Sequence, residues 1–101
     1  MANKVFEIMV KSRRLAILRF LSEGAGYELN TSILQAALDA AGLNSTRDAV
    51  EGECAWLAEQ GLVVVESMEG VRIIVVRLTP RGLDVARGHV VYPGVDRPLP
   101  H

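Results

Sequence analysis

A chain of 101 residues, half of them apolar, with one cysteine and a net charge of −1 has room for one small domain. Those numbers exclude an internal disulfide, a zinc site built on cysteine alone and polyanion binding through bulk charge. No apolar run approaches the ~18 residues of a membrane span. The first residues also lack the apolar segment and cleavage site of a secretion signal, so the expected location is the cytoplasm. Charge is uneven along the chain: +4 over residues 1–22, −8 over 23–69 and +3 over 70–101.

The first predicted helix runs from about Lys4 to Ser22. Val5, Ile8, Met9, Ser12, Leu15, Ala16 and Arg19 follow steps of three and four, and so do Phe6, Val10, Ile17, Phe20 and Leu21 on the neighbouring stripe. That apolar arc is wider than one core contact needs, which leaves a face for a partner helix. Gly24 and Gly26 are expected to end the helix through left-handed backbone. Tyr27-Glu28-Leu29 reads as a short strand.

Asn30 is placed to cap a second helix, Thr31 to Ala41, with Ile33, Leu34, Ala37, Leu38 and Ala41 as its apolar stripe and Gly42 as its stop. After the Leu43-Asn44 turn, Ser45 and Asp48 form a capping-box-like pair opening a third helix, Thr46 to Gln60. Val50, Cys54 and Leu57, with Ala49 and Ala58, should point inward. Gly61 ends this helix.

A hairpin follows: one strand from Leu62, a turn at Ser67 to Gly70, and a return strand from Val71 to Leu78. The return strand is apolar on both faces, which implies cover on both. Thr79 caps a short last helix with Pro80 at its first position. The remainder, His89 to His101, contains Pro93-Gly94, Pro98 and Pro100 and reads as an extended, polyproline-like arm. The expected fold is therefore α+β, a winged helix-turn-helix domain over residues 1–88, built of three helices, a hairpin wing and a short C-terminal helix. An extended proline-containing tail, 89–101, follows it.

Two patterns carry a resemblance. The junction Leu57-x-x-x-Gly61-Leu62-Val63 is similar to that of many winged-helix regulators, and Leu78-Thr79-Pro80-Arg81-Gly82 is similar to the turn after the wing in the MarR and PadR groups. More of the chain, including Arg14 to Arg19, Ala55 to Val63, Leu78 to Ala86 and the Pro93 to Pro100 tail, resembles a family of small ArsR-like proteins of Mu-like phages and prophages. The resemblance implies a winged helix working in a bacterial host cell.

Metal sensing of the ArsR kind fails on residue count, since Cys54 lies on an apolar stripe and His89 and His101 lie in the tail. Neither metal nor cofactor is expected. No nucleophile-and-base arrangement or phosphate loop has workable spacing, so no catalytic residue is assigned and the chain reads as no enzyme. For double-stranded DNA the candidate contacts are Thr46 and Arg47 on the third helix, Arg72 and Arg77 on the wing, and Lys11, Arg13 and Arg14 on the first helix. Asp48, Glu51, Glu53 and Glu59 fall in or near the same groove, where each works against counterion release. The competing reading of Arg72 and Arg77 is ordinary solvation or pairing with Glu66 and Glu69 across the hairpin.

Two functions fit these residues. One is a DNA-binding transcriptional regulator of a phage or prophage, dimeric through its first and last helices. The other is a module that turns the winged-helix shape against another phage protein, carried by the acidic third helix, the apolar wing and the apolar tail.

Overall fold

A computed structural model describes residues 3–68 and 70–99. Helix α1 (Lys4–Glu23) starts at Asn3, whose Oδ1 accepts from the Phe6 amide at 3.2 Å. Ile17, Leu18 and Leu21 are fully buried on it, so only its C-terminal half meets the core. Gly24 leaves the helix in extended backbone rather than left-handed. It must be glycine for another reason: a Cβ there would lie 2.9 Å from the Glu28 carbonyl oxygen and against Leu29. A 3-10 turn, Ala25–Tyr27, carries the left-handed residues instead, Gly26 and Tyr27.

Strand β1 (Glu28–Asn30) leads directly into α2 (Thr31–Ala40), capped by Asn30 with Oδ1 accepting from the Ile33 amide at 2.8 Å. Thr31, Leu34 and Leu38 are the buried positions of α2. Ile33, expected on the inward stripe, is half exposed, because the core contact of this helix is narrower than its apolar arc. Helix α3 (Arg47–Glu59) begins one residue later than expected. Thr46 is the cap, accepting from the Ala49 amide at 3.1 Å, and the Ser45–Asp48 box does not form. Ser45 is engaged elsewhere: its hydroxyl donates to the Leu43 carbonyl and accepts from Nε of Arg13, both at 2.7 Å.

The sheet is antiparallel with order β1-β3-β2, formed by β2 (Val63–Ser67) and β3 (Ile74–Leu78) with β1 on the far edge. Strand β3 starts three residues after the expected Val71, since Val71 to Ile73 belong to the connecting loop. Val63, Val76 and Leu78 face the helices and are buried. The opposite face carries Glu28, Val64, Glu66, Val75 and Arg77, and nothing among the described residues covers Val64, which is exposed. The expected second cover is not supplied by the described residues.

Helix α4 (Pro80–Ala86) is capped by Thr79, with Oγ1 accepting from the Gly82 amide at 3.0 Å. Gly82 lies so close to Leu62 that a Cβ would collide with its carbonyl oxygen, which explains the glycine of the Leu78-to-Gly82 motif. The tail is not a free extended arm. It turns at Pro93-Gly94, where the Val95 amide donates to the Tyr92 carbonyl at 3.1 Å, and Val95 enters the core. The Asp96 amide donates to the Lys11 carbonyl, so the tail lies across α1. Burial of Val95 outweighs the extended preference of a proline-containing segment. No helix is long and apolar enough to cross a membrane among the described residues.

Candidate functional site

The N-terminal half of α3 and the distal end of the hairpin face each other across a cleft of about 290 Å³, lined by Thr31, Arg47, Glu51, Ser67, Arg72 and Ile74. Arg47 and Arg72, far apart in sequence, stand on either side of it. Arg47 is partly engaged: Nη2 donates to the Ser32 hydroxyl at 3.1 Å and Nε lies 3.9 Å from a Glu51 carboxylate oxygen. Such an exposed pair one helical turn apart holds only a few tenths of a kcal/mol. Toward the C-terminal end of α3 the cleft continues into a second hollow of about 340 Å³, lined by Thr31, Glu51, Cys54, Ala55, Ala58, Val65 and Ile74. Its lining is apolar apart from Thr31 and Glu51, which it shares with the first hollow together with Ile74.

Thr46 uses its hydroxyl oxygen to cap α3 and remains exposed beside Arg47. Arg77 lies on the outer face of the sheet, 3.3 Å from Glu66, the cross-strand pairing weighed for the hairpin arginines. For Arg72 no carboxylate lies within 4 Å among the described residues; Glu69 falls outside them. Lys11 is exposed on α1, near Phe6, Glu7 and Val10.

Arg13 and Arg14 are turned inward. Nε of Arg14 donates to Glu53 at 2.9 Å, its Nη1 donates to the Gly94 carbonyl at 3.1 Å, and its guanidinium stacks 3.7 Å from the centre of the Trp56 ring. Arg13 reaches the other Glu53 oxygen at 3.5 Å and donates to Ser45. Their side chains are only 12% and 16% exposed, so neither presents an open charge to a ligand. Glu53, expected near the groove, is buried at this junction. The desolvation of three charges is offset by mutual pairing and by added hydrogen bonds to Ser45 and Gly94. Spacing could have found Glu53: Val50, Glu53, Cys54 and Leu57 lie on one stripe of α3. Its acidic side chain argued the other way, because the cations that accept it come from α1.

Burial, reinforced by the negative charges of Glu53 and Glu51, pushes the Cys54 thiol up to about 12. It is neutral and packed at any ordinary pH, beneath the apolar hollow and not a nucleophile on its surface.

No protein-family model matches the chain. It is 51% identical over 94 residues to an uncharacterized protein, gp26, of Escherichia phage Mu, covering 93% of this chain and 95% of that one. It is also 43% identical over 63 residues to an uncharacterized protein of Haemophilus influenzae strain Rd, covering 62% of this chain and 61% of that one.

Proposed function

Because the chain belongs to the family of the phage Mu protein gp26, we propose that it is a non-catalytic bacteriophage module on a winged-helix scaffold, whose α3–hairpin cleft docks another protein. The order α1-β1-α2-α3-β2-β3, with β1 paired to β3, supports the winged-helix reading. The observation that carries the docking reading is the apolar floor of Ala55, Ala58, Val65 and Ile74 between recognition helix and wing. Phosphates would desolvate on that floor without gain, whereas apolar side chains gain about 25 cal/mol per Å² buried. The outward stripe of α1 adds a second apolar surface, with Val5, Phe6 and Ile8 each more than half exposed. It fits a homodimer formed through that helix.

A DNA-binding regulator is the second reading, favoured by Arg47 and Arg72 on the two sides of one cleft at the start of α3. Of the expected cations, Arg47 and Arg72 flank that cleft and Lys11 is exposed on α1, while Arg77 sits beside Glu66 on the outer face of the sheet. Binding to mixed-sequence duplex DNA at low salt, followed through a salt titration, separates the two. A DNA binder holding three phosphates gives a logarithmic slope of about −3 that Arg47→Ala and Arg72→Ala each reduce by about one. The docking reading expects no measurable duplex affinity at low salt.

A further inference from the structure

The hairpin has a bare edge beside the apolar hollow. Thr79 donates to the Leu62 carbonyl and Met68 to the Ile73 carbonyl, and both bonds obey the register that pairs Val63 with Leu78. Hydrogen-bonded pairs recur at every second residue, so Leu62, Val64, Glu66 and Met68 aim their backbone groups at β3. Val63, Val65 and Ser67 aim theirs away from the sheet. Val63 is only 2% exposed, whereas Val65 and Ser67 are open, so their two donors and two acceptors have no partner among the described residues. The edge has no proline or lysine to blunt it, and its acid, Glu66, is paired with Arg77 on the outer face. The Val65 side chain lies on the helix-facing side, where it lines the hollow with Ala55, Ala58 and Ile74.

We infer that this edge takes an extended strand from another protein, apolar at alternate residues and acidic at the end reaching the hairpin tip. The inference rests on the protein-docking reading above. Backbone pairing to Val65 and Ser67 supplies register, and the hollow takes the alternate side chains that point toward α3. Charge fixes the orientation: past Ser67 the strand meets Arg47 and Arg72, with Glu51 as the one acid lining that cleft among the described residues. A second copy of this chain suits the same edge less well: pairing Val65 with Ser67 of the copy sets Glu66 opposite Glu66, and shifting the axis to Val65 requires the covered backbone of Val63.

The probe is a synthetic ten-residue peptide of alternating valine and threonine ending in two glutamates. Two controls go with it, one ending in two lysines and one N-methylated at alternate amides. Amide exchange of Val65 and Ser67 in the full chain is followed as each is added. The glutamate peptide is expected to slow both amides at least tenfold, saturably. The lysine peptide should bind at least fivefold more weakly, and the methylated one not at all. Val65→Pro removes an outward donor at a position where an edge strand tolerates proline, and should abolish the protection of the Ser67 amide while the fold persists. Should that variant unfold, the methylated peptide still decides. Binding that survives N-methylation overturns strand addition but leaves the docking reading standing. Protection of the two amides without peptide, lost on dilution, would mean self-pairing and also overturns it. Affinity for duplex DNA at low salt with no response to any peptide overturns both.

Discussion

Arg14 and Glu53 meet at 2.9 Å in the interior of the fold, where α1, α3 and the tail converge. The guanidinium also covers one face of Trp56 and holds the Gly94 carbonyl, so one side chain ties three segments together. This junction consumes two of the arginines that the sequence offers to a polyanion.

Removing Glu53 strands two partly buried cations. Glu53→Ala is expected to lower stability by about 3 kcal/mol, within the range for breaking such a pair from one side. Glu53→Gln should cost less, because the amide oxygen still accepts a hydrogen bond. Urea unfolding midpoints of the two variants check both the sign and the ranking.

Gly94 has φ +92, and a Cβ there would lie 2.9 Å from the Trp56 ring and 3.1 Å from Nη1 of Arg14. Gly94→Ala should therefore destabilise by about 1–3 kcal/mol through backbone strain and displacement of the tail. Trp56 is the single tryptophan, so its emission reports the displacement directly as a red shift in the folded variant.

The Cys54 thiol gives a pH dependence with a definite sign. Its folded value, about 12, lies above the reference 9.0 of an unfolded chain. The neutral thiol's contribution is complete below pH 9 and declines from there, because only the unfolded state then loses the proton. The loss approaches ~1.4 kcal/mol per pH unit and ends near pH 12. Unfolding free energies at pH 8, 9.5 and 10.5, compared with Cys54→Ala, isolate the contribution of the thiol. At pH 8 a thiol reagent should react within seconds in urea and at least a hundredfold more slowly in the native chain.

The exposed start of α1 should control self-association. Charges at Val5 and Ile8 (Val5→Glu with Ile8→Glu) touch no core residue and are expected to leave thermal stability within about 0.5 kcal/mol. If α1 forms the dimer, sedimentation at micromolar concentration shifts to the monomer. An unchanged sedimentation coefficient removes α1 from the interface.

Local signals were legible wherever a residue acts on its own neighbours. Asn30 and Thr79 cap the helices they precede, Gly42 and Gly61 take positive φ where α2 and α3 end, and Val50, Cys54 and Leu57 face inward. The errors fall where a distant residue intervenes. Ser45 yields the α3 cap to Thr46 because Arg13 holds its hydroxyl. The proline-containing tail folds back because Val95 and Tyr92 find an apolar seat on α1 and α3.

What the sequence determined alone is the order of the helices and strands and most of their inward positions, since both follow from periodicity and capping within a few residues. What tertiary structure decided is which charges remain available. A stripe pattern cannot tell a solvated arginine from one held by Glu53, because that difference depends on a partner some forty positions away brought within 3 Å by packing. The same packing sets Arg47 beside Arg72, leaves the Val65 edge bare, and moves the open chemistry of this protein from α1 to the cleft under the hairpin.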